Sequence, residues 1–250
     1  MNYIIELATS DFLTTRSAVE GGADRIELCA NLAEGGTTPS YAHVKKCREA
    51  FSIPLFPIIR PRGGDFLYNK DEFDIMKNDI KLCKELGCDG IVIGLLNMDG
   101  TIDVARTSEL IELAYPLEVT FHRAFDRCKD PLAALEELIE TGCQRILTSG
   151  QQLSVSSNEP IADSKAAELI AELNRSADGR IIIMPGSGVR KENIKILAEK
   201  TGCIEFHSSL RGKARSPMQF VHPAFANSEE SYSNNAISPD EVRALRNALR

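Results

Sequence analysis

Short apolar runs alternate along this chain with longer stretches whose apolar residues recur at helical spacing, and the joint between the two kinds of segment repeats. Glu20-Gly21-Gly22-Ala23-Asp24-Arg25-Ile26-Glu27 and Glu85-Leu86-Gly87-Cys88-Asp89-Gly90-Ile91-Val92 share it, as do Glu140-Thr141-Gly142-Cys143-Gln144-Arg145-Ile146-Leu147 and Lys200-Thr201-Gly202-Cys203-Ile204-Glu205-Phe206-His207. Each reads as a helix end, a Gly that lets the backbone turn left-handed, a small residue and a strand. With that joint as a ruler, strands are predicted at 4–7, 25–28, 55–59, 90–93, 118–121, 145–148, 181–184 and 204–207. Helices are predicted between them at 12–20, 41–50, 72–86, 104–114, 131–141, 164–176 and 191–200. Strict alternation within one domain's length predicts an α/β fold, a single (β/α)8 TIM-type barrel over residues 1–209. Beyond Ser208 the pattern lapses into a polar stretch holding Met218, Phe220 and Phe225, before Ser238-Pro239 opens a last helix. Residues 210–250 are thus expected to form a C-terminal flap and helix packed on the same domain, the flap at the barrel mouth.

In such a barrel the ligand-handling groups sit at the carboxyl ends of the strands. The clearest case is Val119-Thr120-Phe121-His122-Arg123-Ala124-Phe125-Asp126, an apolar run that ends in an imidazole, a guanidinium and a carboxylate. The other strand ends offer Glu6, Glu27 with Cys29, Arg60-Pro61-Arg62-Gly63-Gly64-Asp65, Thr148-Ser149-Gly150, Pro185-Gly186-Ser187-Gly188 and His207-Ser208-Ser209. Glu6, Glu27, His122 and Asp126 are the candidates for acid–base catalysis, since carboxylates and imidazoles at strand ends can carry protons.

Two of the strand ends read as anion sites. Gly186, Ser187 and Gly188 after strand seven, with His207, Ser208 and Ser209 after strand eight, match the usual phosphate cradle of this fold. Arg60 and Arg62, with Asp65, Arg123 and Ser149, add forked cations and polar groups suited to a carboxylate or phosphate. The same arginines could instead pair with Glu6, Glu27 or Asp65 as a structural network.

Charge narrows the partners further. The formal net charge of −7 gives no overall support for binding nucleic acid. No apolar run is long enough to span a bilayer, and the start lacks a signal peptide's features, so a cytoplasmic location is expected. The seven cysteines include no Cys-x-x-Cys pair and read as reduced thiols. Cys88, Cys143 and Cys203 fill the small slot of the repeated joint, and only Cys29 falls at the top of a strand. Homo-oligomers are common among such barrels, but no exposed apolar stripe marks an interface.

The strand-end motifs, with Glu34-Gly35-Gly36-Thr37-Thr38-Pro39-Ser40 and Ile59-Arg60-Pro61-Arg62-Gly63-Gly64-Asp65-Phe66 among them, resemble the copper homeostasis protein CutC family from Glu6 to about Phe220. The resemblance implies a cytosolic TIM-type barrel associated with copper, with Cu(I) binding proposed for the family; an organic cofactor is not implied. Family members often carry a Cys after the first-strand Glu, where this chain has Leu7-Ala8-Thr9-Ser10. Two readings stand. One is a copper-handling protein that binds Cu(I) through Cys29 with His122 or His207. The other is an enzyme of unknown reaction acting on a small anionic metabolite.

Overall fold

Why the chain alternates is visible at its caps. Asp11, Ser40, Asn69, Asp103, Asp130 and Ser164 each accept a hydrogen bond from a backbone N–H in the first turn of the helix that follows. At the repeated joints the glycine takes a positive φ, from 70° at Gly202 to 90° at Gly22, and the chain turns into the next strand. The computed structural model describes residues 2–156, 164–225 and 232–250. Part of the expected flap, residues 226–231, lies outside the described residues, as does the side chain of Phe225.

The first half runs β1 (Ile4–Thr9), α1 (Phe12–Gly21), β2 (Arg25–Leu28), α2 (Tyr41–Ala50), β3 (Leu55–Pro57), α3 (Lys70–Glu85), β4 (Gly90–Ile93) and α4 (Val104–Ala114). The second runs β5 (Glu118–Phe121), α5 (Pro131–Glu140), β6 (Arg145–Thr148), α6 (Lys165–Ala177), β7 (Ile182–Pro185), α7 (Ile194–Thr201) and β8 (Glu205–Ser208). β3 is shorter than expected because Pro57 ends it, although Ile58 N and Ile59 N still bond to Leu28 O and Val92 O.

All the ladders among these strands are parallel, as the (β/α)8 reading requires. They form two sheets, β3-β2-β1-β8 and β4-β5-β6-β7. The halves meet at β3 and β4 through a bridge between Ile58 and Val92. The β7/β8 seam has no ladder among the described residues, so the hydrogen-bonded barrel is not closed. Ser208 Oγ spans that seam by donating to Val189 O at 2.8 Å.

Alternation along each strand separates two environments. Ile5, Leu7, Ile26, Leu28, Phe121 and Phe206 belong to the large core between strands and helices. The opposite faces point inward and are unusually polar. At the lower level Arg25 Nη2 and Arg145 Nε both donate to Glu205 Oε2, at 2.6 and 2.7 Å. Arg25 Nε also bonds Glu6, and Arg145 Nη2 reaches Glu118. Both guanidiniums lie over the Phe56 ring, at 5.2 and 5.6 Å from its centroid. Gly90 makes room for that ring, since a Cβ there would stand 2.2 Å from Phe56 Cε1.

After β8 the chain forms an antiparallel hairpin of β9 (Gly212–Arg215) and β10 (Ser233–Ala236), then α8 (Pro239–Asn247). α8 packs on α1, where Arg246 Nη1 donates to Gly22 O and Asp24 Oδ1. The expected apolar packing of the flap is corrected here: Met218 is 60% and Phe220 67% exposed. Backbone pairing between β9 and β10 orders the hairpin, so it needs no apolar anchor from these residues.

Candidate functional site

A cavity of about 710 Å³ opens at the carboxyl ends of the strands. Its floor is built by β1, β2 and β8, whose register sets Glu6 beside His207 and Ala8 beside Glu27. His207 Nδ1 lies 2.8 Å from Glu6 Oε1, and His207 Nε2 lies 3.6 Å from Glu27 Oε2. All three side chains are buried, yet Glu27 and His207 line the cavity.

Burial and charge act on these three groups in different directions. Burial pushes the Glu27 carboxyl up to about 7; His207 opposes the rise and Glu6 adds to it. Burial would raise Glu6 as well, but the Arg25 guanidinium, and then His207, hold it well below the usual carboxylate range. Burial would lower His207, and its hydrogen bond to Glu6 with the charge of Glu27 raises it instead. The floor therefore carries one carboxyl that changes charge near neutral pH, next to an imidazole fixed from behind.

His122 stands on the cavity wall at the end of β5. Its Nδ1 accepts the Ala124 N–H at 3.1 Å, which places the ring proton on Nε2. Burial, then the nearby Arg60 cation, pushes the imidazole down to about 3. The ring packs on Phe66 at 4.9 Å between centroids. Nε2 is buried and has no hydrogen-bond partner among the described residues.

The walls are rich in arginine. Arg60, Arg123, Arg127, Arg190 and Arg211 line the cavity, against Glu27, Glu34 and Asp126. Arg60 is gripped by three backbone carbonyls, of Glu34, Gly36 and Gly64. Arg190 donates to Val189 O and Ser208 Oγ, and Arg211 to Leu32 O and Ser209 Oγ. Among the described residues, Arg60, Arg127, Arg190 and Arg211 make no salt bridge within the cavity or elsewhere, whereas Arg123 pairs with Asp126 at 2.7 Å.

The expected site residues fall into two groups. Glu27, Arg60, His122, Arg123, Asp126, Ser187, Gly188, His207 and Ser209 meet around the cavity, with Glu6 directly beneath. Arg62 and Asp65 are not brought there: Arg62 turns outward onto Glu72 at 2.6 Å and Asp65 at 2.9 Å. Ser149, Gly186 and Ser208 lie behind the lining, Ser208 holding Arg190 and Gly186 letting β7 pass close to Leu147. Asp126 is heavily occupied, taking hydrogen bonds from Thr148 Oγ1, Ser149 N, Gln151 N and Arg123 Nε. It organises the loop after β6 and keeps little free capacity for proton transfer.

Arg190 and Arg211 were not among the expected residues. Their signal was position, since Arg190 follows Gly186-Ser187-Gly188 closely and Arg211 opens the flap.

For a metal, ligand atoms of Glu6, Glu27 and His207 lie within 4.8 Å of one another among the described residues. The group is already bonded internally and to Arg25, so its ligand atoms are not vacant. Cys29 is not part of it. Burial, and then the Glu27 charge, push its thiol well above the usual range, and a soft-metal site asks for thiolate, usually from two or more cysteines. This donor set does not fit Cu(I). Cys83 and Cys88 do share a hydrogen bond, but at the α3–β4 joint, the opposite end of the barrel.

Comparison with known proteins decides the family. The pattern of the CutC family matches residues 3–212, the whole barrel and the first residue of the hairpin. The chain belongs to the CutC family. It is 48% identical over 252 residues to a family protein CutC of Chromobacterium violaceum, covering 100% of this chain and 99% of that one. It is 42% identical over 250 residues to the human copper homeostasis protein cutC homolog, covering 97% and 88%. The crystal structure of a putative copper homeostasis protein CutC from Streptococcus agalactiae superposes with a TM-score of 0.75 at 35% identity, covering 83% of this chain and 98% of that one. The CutC family and the TIM-type arrangement expected from the strand-end motifs are therefore both found.

Proposed function

We propose that this CutC-family chain is an enzyme that holds a small metabolite by its phosphate or carboxylate at the barrel mouth and moves a proton on it at the floor. One observation carries the reading: four cavity arginines with no salt bridge among the described residues, in a chain of net charge −7. Arg60, Arg190 and Arg211 are held by neutral acceptors, so they keep both their position and their charge. Guanidiniums set this way favour a forked, anionic ligand. Beneath them, the Glu27–His207–Glu6 relay supplies acid–base capacity near neutral pH.

The test is calorimetric titration with inorganic phosphate, dihydroxyacetone phosphate and 3-phosphoglycerate. At least one should bind to the wild type. The double variant R190A/R211A should lose about 10–100-fold in affinity, as expected for removing charge-assisted hydrogen bonds. Unchanged affinity would overturn the assignment.

The name of the human relative supplies the second reading, copper homeostasis. For this chain that would mean Cu(I) held at Cys29 with His122 or His207, in a cytosolic protein whose cysteines stay reduced. All of them are free thiols. The buried, protonated Cys29 beside Glu27 weighs against a dedicated copper site. An anaerobic Cu(I) competition titration of the reduced protein should give the same affinity for wild type and C29S. A large loss in C29S would place copper at this site and put the copper reading first.

A further inference from the structure

We infer that the cavity catalyses proton transfer at a carbon next to a carbonyl, with Glu27 taking the proton and the Nε2–H of His122 polarising the carbonyl oxygen. The inference rests on the anion-binding reading above, and it names the substrate class as a phosphate- or carboxylate-bearing carbonyl compound.

His122 provides the first half of the argument. Because Nδ1 is used as an acceptor for the Ala124 N–H, the ring offers a donor at Nε2, and that donor is buried with no partner among the described residues. A buried donor left unmade is costly, and an acceptor supplied by a ligand removes that cost. The ring cannot swing away to find another. Phe66 covers it, and on the β4 side a Cβ on Gly94 would already lie 2.2 Å from His122 Cε1. Arg60 beside it discourages a second proton. A locked, neutral N–H on a cavity wall is suited to an oxygen that becomes negative during reaction, and a carbonyl turning into an enolate is such an oxygen.

Glu27 provides the second half. Of the two floor carboxylates, Glu6 is engaged by Arg25 and His207, whereas Glu27 faces the cavity. Its Oε2 stands 3.6 Å from His207 Nε2, close enough for a small shift to make a hydrogen bond. A proton taken by Glu27 thus has a route to an imidazole that is itself backed by Glu6.

The step balances without any other reactant. A Glu27 oxygen takes the proton from the carbon. The C–H electron pair becomes the new C=C bond, and the carbonyl π pair moves to oxygen, where the His122 N–H holds it. Returning the proton to the same carbon exchanges or inverts it; returning it to the neighbouring carbon of a hydroxycarbonyl compound isomerises it once the hydroxyl proton has also passed from that carbon's oxygen to the former carbonyl oxygen. Arg190 and Arg211 at the mouth would hold the anionic end away from the reacting carbon.

The experiment incubates the protein in D2O with dihydroxyacetone phosphate, ribulose 5-phosphate and pyruvate, following loss of the C–H signal by proton NMR, with binding of each probe measured in parallel. At least one probe should exchange faster than in the absence of protein. E27Q should lose about 10²–10⁴-fold of that rate. H122F, which keeps an aromatic ring against Phe66, should lose about 10²–10³-fold. Both variants should still bind the probe. Binding without exchange would overturn this inference and leave the anion-binding reading standing. No binding by any probe would overturn both. Exchange that persists in E27Q would rule out Glu27 as the base.

Discussion

Replacing Glu205 with glutamine is expected to lower folding stability by about 3–5 kcal/mol, the range for removing one member of a buried ion pair. Glu205 is buried at the centre of the barrel interior, where it accepts from both Arg25 and Arg145. Glutamine keeps its shape and removes its charge, which leaves two guanidiniums facing each other in the interior with Glu6 and Glu118 as their remaining anions. Urea unfolding would show the loss as a lower midpoint with an unchanged slope. E136Q serves as the control. Glu136 pairs with Arg180 at the surface, with side-chain exposures of 52% and 44%, and its loss should leave the unfolding midpoint nearly unchanged. If the two variants behaved alike, the interior network would be solvated and the desolvation argument would fail. A rescue sharpens the test: E205L combined with R145M should recover much of the loss, because an apolar pair needs no charge balance.

The same network explains what the sequence did and did not make legible. Strands and helices were readable because caps and joints are local: the Gly-x-x-Arg-Ile run before β2 recurs before β6, and both fold alike. Glu27, His122 and His207 were readable because they end strands in a fold whose strand ends gather at one face. The partnership of Arg25, Arg145 and Glu205 is not legible in the sequence, because Arg25 and Glu205 meet across 180 residues. A polar interior also breaks the usual expectation that inward faces are apolar. The alternation Arg25-Ile26-Glu27-Leu28 held the hint, with the charged residues on one face and the apolar ones on the other. Arg60 and Arg62 show the limit of local reading. Two positions apart, they part company because Glu72, in the first turn of α3, draws Arg62 outward while backbone carbonyls hold Arg60 in.

The interior thus works in two levels. The lower level, Arg25, Arg145 and Glu205, balances charge and fixes Glu6 as an anion. The upper level, Glu6, His207 and Glu27, inherits that anion, and two neighbouring carboxylates with one imidazole cannot all be comfortable when ionised in a buried space. The strain falls on Glu27, the member facing the cavity. A group held this way is poised for function and costs stability.

That cost predicts a pH dependence with a definite sign. With its folded value raised from 4.5 to about 7, Glu27 keeps its proton longer in the folded state than in the unfolded one. Its contribution is fully present below about pH 4.5 and is lost as pH rises through 7, a change of about 3 kcal/mol at 1.36 kcal/mol per unit. His207, also raised, acts in the same direction, its contribution being present below the unfolded value of 6.5 and lost as pH rises through its folded value. Glu6 is lowered, so its contribution is present above its unfolded value and is lost only as pH falls through its folded one. The wild type should therefore be less stable at pH 8 than at pH 5. Glutamine at position 27 cannot ionise, so E27Q should flatten most of this slope. At pH 8 it should be more stable than the wild type by about 3 kcal/mol, or roughly 6–12 °C in melting temperature for a chain of this size. Near pH 4.5 the two should nearly coincide. Parallel slopes for wild type and E27Q between pH 5 and 8 would mean that Glu27 ionises normally, and the floor would then lack its neutral-pH proton acceptor. A gain in stability from E27Q, set beside its loss of exchange in D2O, would identify one side chain as both the site of strain and the base.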